Sequence, residues 1–321
     1  MIFRLLVSGA VLTFIGLQTC EGHPSPQPII GILLETVDGN YRSCFGQYKV
    51  LTFYRSFVEQ GGAGAVPIFV NQSDEYYDQL MTRINGVLLP GGGVNLLTSP
   101  YGKAAYKLFK LAKKMNDVGK YFPIWGTCLG MQEMTTWPFT PRENLIGVCY
   151  GTEKVGLPLN FTSAANKSRL YGSMPDFLRE ILSKENITPN FHHHCLTEMT
   201  YSSQRELTDF YSVLSTNLDG KGVEFVSTFE ARQYPFYGTQ FHPEKMNFGH
   251  PIGYKVNQSL HAAIAGQYFG NFFVEESKRN SNSFQSIPEE TRFMFGSYQT
   301  MFSEYYQYYC FNDSDVPKFD S

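Results

Sequence analysis

The stretch Tyr121-Phe122-Pro123-Ile124-Trp125-Gly126-Thr127-Cys128-Leu129-Gly130-Met131-Gln132 decides how this chain is read. Phe122 to Trp125 is a short apolar run that predicts a buried strand. It ends at Gly126, and Cys128 then stands between two glycines, Gly126 and Gly130. Leu129, Met131, Met134 and Trp137 supply the start of a helix. A strand that turns sharply into a helix around one reactive side chain is the layout of a nucleophile elbow. Glycines flank such a turn because larger side chains would block it and the approaching substrate. The helix N-terminus behind Cys128 is expected to favour thiolate over thiol. The plain competing reading is an inert cysteine beside a turn, and G-x-C-x-G alone does not separate the two.

Outward from the elbow, strands and helices alternate. Pro28 to Leu34, Val66 to Val70 and Gly86 to Leu89 read as strands. Their continuous apolar character suits a parallel sheet covered on both faces. Apolar residues at Val50, Leu51, Tyr54, Phe57 and Val58 predict a helix from Gly46 to Gln60, stopped by Gly61. Ser73 to Ile84 and Tyr101 to Asn116 read as two more helices. In the second of these, Ala104, Ala105, Leu108, Leu111, Ala112 and Met115 form the apolar face, opposite a solvated row of lysines. This order implies βαβ units around a mostly parallel sheet: an α/β fold, a three-layer α/β/α sandwich of flavodoxin-like layout. After the elbow the pattern turns β-rich, from Leu145 to Phe241. A helix is expected over Asn257 to Val274 and a polar loop over Glu275 to Glu290. An aromatic C-terminal extension, residues 291–321, is expected to pack back on the domain.

The 321 residues are 42% hydrophobic and 17% charged, enough for a sizeable core. A net charge of -3 leaves no basic footprint, which argues against nucleic acid as a partner. Leu5 to Leu17 is apolar, follows Arg4, and is too short to span a bilayer comfortably. It reads as the core of a signal peptide over residues 1–22, leaving 23–321 as one domain with its core at about 28–274. No later run is long enough to anchor the chain in a membrane. Six N-x-[ST] sequons, at Asn71, Asn160, Asn166, Asn186, Asn257 and Asn312, agree with a secretory route and N-glycans. An oxidising compartment follows, either the lysosome or the outside of the cell. With Cys20 at the edge of the signal and Cys128 as a free thiol, Cys44, Cys149, Cys195 and Cys310 are left to form two disulfides. Three pairings are open.

A thiol nucleophile needs a base, and the base needs an orienting group. The run Gln240-Phe241-His242-Pro243-Glu244 supplies both. His242 and Glu244, two apart on an extended chain, point the same way, and Pro243 keeps His242 extended. Pro90-Gly91-Gly92-Gly93, at the end of a strand, offers backbone N–H groups to a developing oxyanion. The amide of Leu129 is the second donor.

Taken along the chain as glycine loop, Cys128 elbow and His242-Pro243-Glu244, these three stretches resemble the class I glutamine amidotransferase-like superfamily and, within it, the γ-glutamyl hydrolase family. The resemblance runs from about Ile29 to Val274. It implies Cys128 as nucleophile, His242 as base and Gly92 and Leu129 as oxyanion donors, with Glu244 as the third member. It also implies cleavage of γ-glutamyl bonds in folylpolyglutamates and related peptides through a thioester, without a cofactor. A histidine after Asn190-Phe191 is implied to lie near the substrate, which points to His192; a hydrogen-bonded strand histidine is the plain alternative. A metal at His192 and His194 is not expected, because no carboxylate pattern accompanies them. Two other functions compete: a glutamine amidotransferase subunit that releases ammonia, and a catalytically dead secreted binding protein. About 75 residues follow Glu244, too few for a synthase domain. The partners expected are a small-molecule substrate and, at most, a second copy of the chain in a homodimer.

Overall fold

Nearly every residue of the central strands is apolar and buried, so backbone groups there must pair with one another. In the computed structural model, which describes residues 27–37, 44–247, 254–303 and 306–320, they pair in one eight-stranded sheet. The expected signal peptide lies outside the described residues. The strand order is Gly64–Ile68, Ile29–Leu33, Gly86–Leu89, Ile124–Thr127, Phe236–Thr239, Glu224–Ala231, Tyr211–Leu218 and Asn160–Phe161. The first five strands are mutually parallel. The last three join antiparallel.

Two neighbouring rings show that both faces are covered. Phe236 packs on Phe109 of the Pro100–Asp117 helix and edge-on to Trp137. Tyr237 packs on Phe272 of the Leu260–Ser277 helix and on Trp125. Successive strand residues project to opposite faces, so the two helices lie on opposite sides of the sheet. The expected α/β/α sandwich is therefore present. Ser73 and Ser99 cap their helices through their hydroxyl oxygens, which accept from Tyr76 and Gly102 N–H.

The register of three central strands builds one level edge. Leu89 lies opposite Gly126, and Thr127 opposite Thr239. The residues that follow each strand, Pro90, Cys128 and Gln240, therefore leave the sheet together at its carboxyl end, where open α/β sheets bind ligands.

The region around Gly46 to Gln60 differs from the helix expected there. Tyr48–Leu51 is a strand, and only Thr52–Glu59 is helical. Helical spacing accounts for Tyr54, Phe57 and Val58, whereas the buried Tyr48 and Val50 belong to a second sheet. That sheet runs Thr300–Ser303, Tyr306–Phe311, Tyr48–Leu51 and Glu35–Thr36, all antiparallel. The aromatic tail thus packs back by strand pairing, with Phe311 edge-on to Phe69. The region expected as a polar loop is shorter than Glu275 to Glu290. One helix extends to Ser277, and another, Ile287–Phe293, starts at the Ser286 cap.

Of the three open disulfide pairings, the structure has Cys44–Cys310 and Cys149–Cys195. The first ties the tail strand to the segment before Tyr48 across 266 residues of sequence. Replacing Cys44 and Cys310 together by serine should therefore cost roughly 2–5 kcal/mol of stability. A denaturant midpoint that matches the parent protein would mean that strand pairing alone holds the tail.

Candidate active site

Cys128 caps the Leu129–Met134 helix with φ 52° and ψ −105°, a conformation rare for any residue but glycine. Its N–H donates to Thr239 O at 2.8 Å, and its carbonyl accepts from Gln132 N–H at 2.9 Å. The two flanking glycines are required by contact. A Cβ on Gly130 would lie 2.0 Å from the Leu89 carbonyl oxygen, and one on Gly126 would lie 2.6 Å from Met134 Sδ. The elbow read from the sequence is present, and Cys128 is the free cysteine among the described residues.

The base expected at His242 is brought to the same place. A Cβ on Gly91 would fall 2.7 Å from His242 Cε1 and 3.2 Å from Cys128 Cβ, so imidazole and thiol flank one point. His242 N–H donates to Pro189 O at 2.8 Å, which fixes its backbone. His242 Nδ1 lies 2.6 Å from Glu244 Oε1, and both side chains are buried. The pair forms across the short Pro243–Lys245 3-10 turn and not along a strand, as the sequence had suggested.

Burial alone would raise the Glu244 carboxyl, but His242 and Lys245 outweigh it and hold Glu244 below its ordinary range. An ionised Glu244 can only accept, so Nδ1 carries the imidazole proton and Nε2 is left with its lone pair. Burial and the nearby Lys245 charge lower His242, which keeps it neutral. The thiolate expected at Cys128 is not found. Burial pushes the thiol up to about 12; the Lys245 charge and the Leu129 amide pull the other way without overcoming it. The resting site holds a neutral thiol beside a neutral imidazole.

The glycine loop is held by three side chains that the sequence reading missed. Gly91 N–H donates to the Tyr54 hydroxyl at 2.7 Å, and Gly93 N–H to Glu35 Oε1 at 3.0 Å. Tyr101 OH donates to Pro90 O at 2.7 Å. Among the described residues nothing accepts from Gly92 N–H. That amide borders the cavity, and the Leu129 N–H at the start of its helix lies against the sulfur.

These groups line a cavity of about 220 Å³. Glu35, Lys49, Tyr54, Gly91, Gly92, Cys128, Phe191, His242 and Lys245 form much of its wall. Tyr306 and Tyr308 of the aromatic tail complete it. The tail residues left no local sign in the sequence; the one available signal was Cys310, beside two of the tail's tyrosines. His192 is not on this wall. It is buried, with Nε2 3.0 Å from Asn190 Oδ1 and its ring edge-on to Phe225. Burial drives it down to about 3, so it stays neutral. The structure thus gives His192 the plainer of its two expected places.

A cysteine elbow, an oriented imidazole and backbone amides at the cavity wall on an α/β sandwich define a class: proteins equipped for acyl transfer through a thiol. The comparisons narrow it. The peptidase C26 family model matches residues 28–244, and the chain belongs to that family. It is 36% identical over 301 residues to gamma-glutamyl hydrolase of Rattus norvegicus, covering 92% of this chain and 93% of the relative. It is 35% identical to the Mus musculus and Bos taurus proteins of the same name, covering 95% of this chain and 99% of each.

The depressed His242 sets a pH expectation. The active form of a base is the unprotonated one, and a lowered pKa keeps that form present at lower pH. The acid limb of kcat/KM should fall below pH 6.5, the ordinary value for histidine. A limb centred above 6.5 would mean that Glu244 outweighs burial and Lys245.

Proposed function

We propose that this chain is a cysteine hydrolase of γ-glutamyl peptide bonds, acting on folylpoly-γ-glutamates and related γ-linked chains. The observation that carries the reading is the elbow cysteine, set beside the His242–Glu244 pair in a cavity of a peptidase C26 chain. The names of its relatives supply the substrate class.

The steps follow from the protonation states. As Cys128 Sγ attacks the γ-carbonyl carbon, His242 Nε2 takes the thiol proton. Glu244 steadies the imidazolium that forms. The carbonyl oxygen gains the negative charge and accepts from Gly92 and Leu129 N–H. Each such donor contributes about 10²–10³-fold in related sites. The intermediate collapses to a thioester, and His242 returns the proton to the leaving amine. Water then attacks the thioester with His242 again as base, which releases the glutamyl acid and restores the thiol. Because the resting thiol is protonated, the base is needed for the first step as well as the second.

The test uses γ-linked and α-linked triglutamate of equal length. The γ-linked chain should be cut and the α-linked chain left largely intact. Moving the carbonyl between the two linkages displaces it by about 2–3 Å, and misplacement of about 1 Å can cost roughly 10²-fold. Cys128→Ala should fold normally and lose essentially all turnover. Comparable rates on both chains would point to a general cysteine peptidase, and turnover by the alanine variant would exclude the thiol mechanism.

The secretory reading is part of the same proposal. All six sequon asparagines are exposed, which leaves each accessible to a glycan. Four cysteines in two disulfides agree with an oxidising compartment, lysosomal or extracellular. No described helix is long and apolar enough to cross a membrane. Protein from a eukaryotic host should therefore gain gel mobility after N-glycosidase treatment; unchanged mobility would count against the secretory route.

A further inference from the structure

Lys245 is a buried amine in the cavity that takes no part in the steps above, although its charge acts on Glu244, His242 and Cys128. It follows Glu244 directly and is 7% exposed. It lines the cavity together with Cys128 and His242. Its ammonium lies 4.3 Å from the Phe191 ring centroid and 5.8 Å from that of Tyr306, so two aromatic faces hold it in place. Among the described residues no carboxylate forms an ion pair with it. Glu35 pairs with Lys49 at 3.6 Å and Glu244 with His242 at 2.6 Å; burial lowers Lys245 from its ordinary value, and the Glu244 charge opposes that without overcoming it.

A cation buried without a carboxylate is costly, and the cost is offset when an anion enters beside it. A γ-glutamyl chain brings an anion on each side of its scissile bond. On the acyl side the α-carboxylate carbon is four bonds from the reacting carbonyl carbon; on the leaving side it is three. At about 1.5 Å per bond, both lie roughly 4–5 Å from the point of attack. Lys245 lines the same cavity as Cys128, and its charge is felt at the thiol.

Resting on the hydrolase reading, we infer that Lys245 binds an α-carboxylate of the γ-glutamyl substrate and so sets the specificity of the cavity. An α-linked unit presents its side-chain carboxylate at the same four bonds from the reacting carbon and differs in the place of its amino group, so Lys245 selects for a free carboxylate and the linkage preference rests on the rest of the cavity. Phe191 and Tyr306 position the ammonium, and Tyr306 brings the C-terminal tail into substrate recognition.

The experiment compares three substrates on the wild-type protein: γ-linked diglutamate with both α-carboxylates free, the same with the acyl-side α-carboxylate as a carboxamide, and the same with the leaving-side one as a carboxamide. Amidating one of the two positions should lower kcat/KM by about 10²-fold, as loss of a buried charged partner does. The sensitive position identifies which carboxylate Lys245 meets. Lys245→Met should lose a similar factor on the free acid, mainly through KM, and should treat acid and amide at that position alike. Lys245→Arg should recover part of the discrimination. Equal rates of the wild type on all three substrates would overturn the inference while leaving the hydrolase reading intact, and this arm needs no variant to fold. Equal losses on acid and amide in Lys245→Met would overturn it too, since they would mean that Lys245 only shapes the site. Failure of the wild type to cut any of the three would overturn the hydrolase reading itself.

Discussion

Where a side chain at position 130 would have to go, the carbonyl oxygen of Leu89 already stands. That close approach presses the first turn of the Leu129–Met134 helix against the strand that ends in Pro90-Gly91-Gly92-Gly93. Much else follows from it. Cys128 and the glycine loop belong to different segments of chain, yet the proposed reaction requires both within bonding reach of one carbonyl group. A helix held away by one methyl group would move the Leu129 amide relative to Gly92. An oxyanion hole needs donors within about 0.5 Å of their positions, so under the proposed reaction the missing side chain belongs to the catalytic geometry and not only to packing.

The level edge of the sheet does the rest of the positioning. Leu89, Gly126 and Gly238 sit side by side in register, and one residue of slip would turn His242 or Cys128 away from the site. This explains how the site was legible in the sequence. Its parts are local: a strand, a turn and one or two residues whose chemistry is fixed by type. The glycine loop, Cys128, His242 and Glu244 could be placed because each follows a short apolar strand, and parallel strands in such a fold end on the same side. The sandwich was legible for the same reason, since apolar runs alternating with amphipathic helices have few other ways to bury both faces.

What could not be read is what depends on distant partners. Val50 and Leu51 share helical spacing with Tyr54 and Phe57, and nothing local shows that Tyr48–Leu51 instead pairs with a strand more than 250 residues away. The tail looked like aromatic surplus because Tyr306 and Tyr308 meet the cavity only through that pairing. Glu35 and Tyr54 hold the glycine loop from elements that carry no motif. His192 carried a resemblance, yet its position depends on the bulge in the Thr188–Phe191 strand and on Asn190, which turn it inward against Phe225.

Electrostatics gave the least legible part of all, and the reason is one of magnitude. The sequence suggested that a helix N-terminus would ionise Cys128. A helix end is worth roughly 0.3–1 kcal/mol at an exposed position, whereas full burial can shift a titratable group by several pKa units. With Cys128 only 5% exposed, burial wins and the sulfur keeps its proton. The same burial, aided by the charge of Lys245, holds His242 neutral. A neutral pair loses nucleophilicity at rest, but it has no internal ion pair to break when substrate arrives. In the proposed reaction the proton moves from sulfur to imidazole only as the carbonyl is attacked, and Glu244 is already in place to stabilise the charge that appears. Lys245 acts in the opposite sense on that imidazolium, so an anion drawn to Lys245 would also relieve its repulsion of the charged His242. If Lys245 binds the substrate carboxylate as inferred, substrate binding and base strength are coupled through one ammonium.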